Sequence, residues 1–89
     1  MNSNPCELTF EQIDIGLKNE FNLTISQSLV DDFAKLSGDL SPLHTDDEYA
    51  KSTKFQKKLV HGMLLASFLS RMVGMYLPGK HALYASQSL

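Results

Sequence analysis

The sequence predicts an α+β fold, and three observations carry that reading. From Asn19 to Ile25 the apolar side chains Phe21, Leu23 and Ile25 alternate with Glu20, Asn22 and Thr24, the period of a half-buried strand. From Gly62 to about Tyr76 the chain reads GMLLASFLSRMVGMY. Apolar residues there fall on nearly every face, relieved only by Ser67, Ser70 and Arg71, and a helix apolar all round is a buried helix. After Pro78-Gly79 the run HALYASQSL reads as a second strand, reaching Leu89. A buried helix of about four turns needs sheet or further helices around most of its circumference, and two strands cover only part of it.

The remaining elements follow in order. The segment through Gly16 mixes apolar and acidic residues and is expected to lie as an irregular covering segment. Ser26 suits the cap of a helix in which Leu29, Phe33 and Leu36 recur at helical spacing, and Gly38 stands where a left-handed stop is wanted. Thr45-Asp46-Asp47-Glu48 has the spacing of a capping box, with Thr45 as cap and Glu48 reaching back, opening a short helix from about Asp46 to Ser52. Asp46, Asp47 and Glu48 then suit the positive end of a helix dipole and need no metal. A calcium loop starting at Asp39 fails because His44 occupies the position that demands glycine. Met63, Met72 and Met75 are read as core filler, and His81, in a turn after Lys80, as solvated.

With 89 residues the chain is read as one domain spanning 1–89, free of repeats and low-complexity linkers. A chain of this length buries about 60–65% of the surface it exposes when unfolded, so its own core is marginal. The formal net charge of -2 and the scattered lysines, apart from Lys57 and Lys58, leave no basic stripe for nucleic acid. A single cysteine, Cys6, excludes an intrachain disulfide, reads as a free surface thiol and fits a reducing cytoplasm. MNSNPCELTF has neither the basic nor the apolar region of a signal peptide, and no apolar run reaches the roughly 18–20 residues that span a bilayer. The sequon Asn22-Leu23-Thr24 is then without consequence.

The stretch FAKLSGDLSPLHTDDEYA, Phe33 to Ala50, places two proton-moving groups, Asp39 and His44, in a short connection stiffened by Pro42. It resembles the signature of the MaoC-like (R)-specific enoyl-CoA hydratases, the hydratase 2 family. Phe33, Leu36, Ser37, Gly38, Asp39, Pro42, Leu43, His44 and Ala50 fall on that signature in order. LVHGMLLASFLSRMVG and LPGKHALYASQSL look like the family's central helix and next strand in the short bacterial members that supply polyhydroxyalkanoate monomers. The resemblance runs from about Leu8 onward. Ser41 departs from it, standing where the signature has asparagine, in the hydrogen bonding that shapes the loop.

The resemblance implies a hot-dog-like fold, an antiparallel sheet wrapped around a central buried helix, here incomplete at the C-terminus. It implies an acyl-CoA thioester as substrate, no cofactor, a homodimer, and Asp39 and His44 as the catalytic pair, spaced by Pro42. Hydrating a trans-2-enoyl thioester requires a base for water, an acid for C2 and donors for the enolate oxygen. Gly62, opening the central helix, has a free N–H at the positive dipole end and lets the thioester approach the backbone. Ser70 falls where short bacterial members line the acyl pocket; a bond back to a helix carbonyl is its other reading. His61, just before Gly62, is read as structural, capping or packing. The alternative to an enzyme is a catalytically inactive hydratase fragment that acts as an oligomerising module.

Overall fold

The computed structural model describes residues 4–89, so Met1 to Ser3 at the start of the expected covering segment lie outside the described residues. The chain packs as two compact units: Leu23–Leu65, and a second made of the segments through Asn22 and from Ala66 to Leu89.

In the first unit, helix α1 (Gln27–Ser37) starts where the cap predicts. The Ser26 hydroxyl accepts from the Leu29 N–H at 3.2 Å, and the helix stops at Gly38, whose φ of 77° is left-handed. Its inward face runs through Val30 and Ala34, both buried and four residues apart, flanked by half-buried Leu29 and Phe33. Leu36, in phase with Phe33 by spacing, is 85% exposed. Two short helical turns follow, α2 (Pro42–Thr45) and α3 (Asp47–Lys51).

The cap falls one residue later than the sequence suggests, and the expected capping box does not form. Asp46, not Thr45, caps α3, its carboxylate accepting from Glu48 N–H at 3.0 Å and Tyr49 N–H at 3.2 Å. The Thr45 hydroxyl instead donates to the carbonyls of Leu40 and Ser41, both at 3.1 Å. Glu48 pairs with Lys51 at 3.6 Å rather than reaching back. Pro42 explains the shift: its fixed φ seeds a turn through Thr45, which takes Thr45 into a helix and leaves Asp46 as the first extended residue, at φ -120°.

Helix α4 (Gly62–Arg71) continues into a wider π-helical turn, Met72–Tyr76, closed by Leu77 N–H donating to the Met72 carbonyl at 2.9 Å. The extent matches the expected helix, but its burial does not. Leu64 is buried, whereas Met63 is 64%, Leu65 51% and Leu69 38% exposed. Met63 is thus no core filler in the single chain.

The strand expectations also change. Among the described residues no strand forms; an isolated antiparallel bridge joins Glu7 and Gly79. Residues 19–25 have no regular secondary structure, with Phe21 and Ile25 half-buried, and 82–89 likewise have none and are mostly exposed. Alternation marks a face, but a strand exists only through a ladder with a neighbour, and none pairs with these segments.

The second unit holds residues 19–21 by side chains instead. Asn19 donates to the Tyr76 carbonyl at 3.0 Å. The Phe21 ring stacks on Tyr76 at 4.9 Å, with the Arg71 guanidinium 4.4 Å from the Phe21 centroid. The covering segment is tied down at Cys6, whose N–H donates to Met75 at 2.8 Å and whose carbonyl accepts from Lys80 N–H at 2.7 Å. Cys6 is a free thiol, half-buried rather than on the surface.

Gly79 lies against that tie, at φ 94°, and a β-carbon there would overlap the Cys6 carbonyl. Gly79→Ala is expected to destabilise by more than about 1 kcal/mol, combining the wrong backbone region with a backbone clash. The check is a melting curve, with an expected fall of at least about 4 °C. An unchanged midpoint would show that the Cys6–Lys80 tie is dispensable.

Candidate active site

Asp39, His44 and Gly62 fall in the first unit, and the loop that presents them is organised by its own backbone. The Ser37 hydroxyl donates to the Phe33 carbonyl at 2.7 Å and accepts from Asp39 N–H at 3.1 Å, so the end of α1 hands the chain to Asp39 in a fixed direction. One carboxylate oxygen of Asp39 accepts from Ser41 N–H at 3.1 Å. That local turn leaves the other oxygen free of this bond.

His44 is held from the far side. Leu59 N–H donates to the Leu43 carbonyl at 3.0 Å, and the Leu59 carbonyl lies 2.8 Å from His44 Nδ1. A carbonyl only accepts, so Nδ1 carries the hydrogen. In the neutral ring Nε2 is then a lone pair, the atom suited to take a proton.

The sequence missed His61 as part of this arrangement. It is 2% exposed, the most buried large side chain of the described residues. Its ring stacks on His44 with centroids 4.0 Å apart and planes 25° from parallel, and Phe33 meets it edge-on at 5.0 Å. Its Nε2 lies 3.0 Å from the Asp39 carbonyl, while Nδ1 is buried with no hydrogen-bond partner among the described residues. The packing role expected for His61 is present, but on the two residues singled out for chemistry. The available signal was position: His61 directly precedes the glycine that opens α4.

One donor atom from each of Asp39, His44 and His61 lies within 4.8 Å of the others. Such a trio resembles a metal set, yet an imidazole binds an ion in its own plane. Two rings stacked at 4.0 Å and tilted by only 25° do not aim lone pairs at a common point nearby. The arrangement suits proton exchange with a small polar guest beside Asp39 and His44 better than a shared ion.

Gly62 is exposed at the start of α4, where first-turn amides lack intrahelical acceptors. Nothing lies within 4 Å of where its β-carbon would be. Ser70 belongs to the second unit, exposed on the last turn of α4. An open groove of about 620 Å³ in that unit is lined by Lys18, Asn19, Glu20, Met72 and Leu77. His81 is exposed in its turn, as expected. No helix of the described residues is long and apolar enough to cross a membrane.

Comparison with known proteins bears on this geometry. The family described as "MaoC like domain" matches residues 9–87. An (R)-specific enoyl-CoA hydratase of Aeromonas caviae is 40% identical over 82 residues, covering 92% of this chain and 61% of that protein. One from Rhodospirillum rubrum is 44% identical over 80 residues, covering 90% and 56%. The chain therefore spans little more than half the length of these curated relatives. Among solved structures, an (R)-hydratase from A. caviae involved in PHA biosynthesis superposes with a TM-score of 0.83 at 41% identity, covering 88% of this chain and 59% of that one. The R-hydratase PhaJ1 from Pseudomonas aeruginosa gives 0.82 at 33% identity, covering 88% and 50%. The backbone is thus hot-dog-like.

Proposed function

The chain belongs to the MaoC-like domain family, and from that premise we propose that it serves the (R)-specific hydration of trans-2-enoyl-CoA to (R)-3-hydroxyacyl-CoA. The observation that carries the proposal is the pairing of a carboxylate and an imidazole on one short loop, with the imidazole tautomer fixed by the Leu59 carbonyl at 2.8 Å.

In this reading a water sits between the free oxygen of Asp39 and Nε2 of His44. As its oxygen adds to C3, the pair removes one proton from it; the pair then returns one proton to C2, so its net charge is unchanged over the cycle. Gly62 N–H, at the positive end of α4, donates to the thioester oxygen and stabilises the negative charge that develops there. Ser70 lines the acyl pocket. The chemistry as written uses only side chains and backbone, without metal or organic cofactor. Cys6, as a free thiol, is compatible with the cytoplasm. Loss of enoyl absorbance when the purified chain meets crotonyl-CoA tests the proposal. A folded chain with no turnover would overturn it in favour of a non-catalytic oligomerising module.

We further propose that residues 1–89 form part of one hot-dog domain, in which an antiparallel sheet wraps α4, and that two copies pair. Leu65 and Leu69, one turn apart on α4, are exposed, with Phe68 half-buried beside them; Met63 is exposed on the opposite face. Leu64 is buried and takes no part in that surface. Apolar surface of this kind marks an interface when it is contiguous. Sedimentation at micromolar concentration is expected to give a dimer or larger species. A monomer with a sharp thermal transition and no binding of an apolar-surface dye would contradict the pairing.

A further inference from the structure

His61 is the one buried polar or charged side chain among the described residues, at 2% exposure. Its placement is costly for a purely structural residue. Nδ1 is buried without a partner, and an apolar ring of similar size would fill the space between Phe33 and His44 without that penalty. What an apolar ring would lack is the bond to Asp39. The Asp39 carbonyl can only accept, so His61 Nε2–H donates to it across 3.0 Å.

Three attachments therefore meet in one residue. The ring face rests on His44 at 4.0 Å. The ring nitrogen holds the backbone of Asp39. The His61 carbonyl accepts from Leu64 N–H at 3.1 Å and Leu65 N–H at 3.3 Å, which starts α4 at the following residue, Gly62. Asp39 and His44 are otherwise anchored separately, Asp39 to the end of α1 through Ser37 and His44 to Leu59. His61 bridges those anchorages. We infer that His61 is a positioning residue, which holds the Asp39 backbone and the His44 ring in register with the start of α4. The inference rests on the hydratase reading and adds a residue to it.

Two substitutions separate the attachments. His61→Phe keeps the stacked ring and loses the donor to Asp39; His61→Gln keeps an N–H donor and loses the ring. Displacing a reacting group by about 1 Å costs on the order of 100-fold, so His61→Phe is expected to lower kcat by about 10- to 100-fold with KM little changed, and His61→Gln to recover part of that loss. Circular dichroism fixes the folded fraction, and a loss no larger than the unfolded fraction would overturn the inference. Wild-type kcat in His61→Phe would also overturn it. Should neither variant fold, the ring nitrogens of the wild-type chain, observed by long-range proton–nitrogen NMR, decide the matter. Hydrogen on Nε2 of His61 and on Nδ1 of His44 supports the bridge, and hydrogen on Nδ1 of His61 refutes it. Asp39→Asn measured alongside separates the two levels. If Asp39→Asn is dead and His61→Phe is normal, only the positioning role falls; if Asp39→Asn turns over, the hydratase reading falls with it.

Discussion

Asp39→Asn is expected to reduce enoyl-CoA hydration by about 10²–10⁴-fold, the contribution of general acid–base help, while the protein folds as before. The substitution is nearly isosteric. Its amide oxygen can still accept from Ser41 N–H, the bond that now measures 3.1 Å, so the loop keeps its shape while the proton-accepting oxygen is gone. His44→Ala is expected to cost a similar factor but with a structural side effect. It removes the bond to the Leu59 carbonyl and the ring under His61, which leaves a part-buried acceptor short of its donor and lowers stability by about 1 kcal/mol. The pair should therefore be judged on kcat at full folding, with Asp39→Asn as the cleaner member. Wild-type turnover in Asp39→Asn would remove the carboxylate from the mechanism.

The second large effect is expected at Gly62, where fold and function make opposite demands. A β-carbon at Gly62 meets nothing within 4 Å, and valine has a helix propensity no worse than that of glycine, so Gly62→Val should fold. The empty space it would occupy is the approach to the first-turn amides of α4. If a thioester oxygen comes there, two methyl groups exclude it or shift the N–H, and loss of one such donor typically costs about 10²–10³-fold in kcat. Gly62→Ala, with one added carbon, should fall between the two. A soluble, folded Gly62→Val with unchanged kinetics would remove the oxyanion role and leave that glycine unexplained.

The parts of this molecule legible in the sequence are those decided within one turn of chain. Ser26 and Gly38 bound α1 because a cap hydroxyl and a left-handed stop act on amides three or four residues away. The span of α4 and its following turn, and the exposed turn at His81, were likewise local. The cap of α3 falls at Asp46 rather than Thr45 because both are good caps, and the Pro42 turn decides between them. The two strands failed for the opposite reason: the alternation at Phe21, Leu23 and Ile25 is real, but a ladder needs a second segment.

In the site, Asp39 and His44 were visible through the signature they sit in. His61 was not, because what matters about it is tertiary: it bonds a carbonyl 22 residues earlier and stacks on the ring at His44. The half-buried aromatic at Phe33 acquires a reason in the same way, as the edge that closes over His61 at 5.0 Å. Why Ser41 serves where asparagine is usual also becomes plain. The position contributes its backbone, N–H to Asp39 and carbonyl to His44 N–H and the Thr45 hydroxyl, and none of these contacts requires an amide side chain.

The central claim is that Asp39 and His44 act together from one side of the substrate, and the stereochemistry of addition tests it most directly. Crotonyl-CoA hydrated in deuterium oxide acquires a deuterium at C2 and a hydroxyl at C3, and the relative configuration of the product records the faces to which they were delivered. A pair of groups on one short loop, sharing one water, is expected to give (R)-3-hydroxybutyryl-CoA with both additions on the same face, as a single diastereomer. The (S) product, or deuterium and hydroxyl on opposite faces, would contradict it.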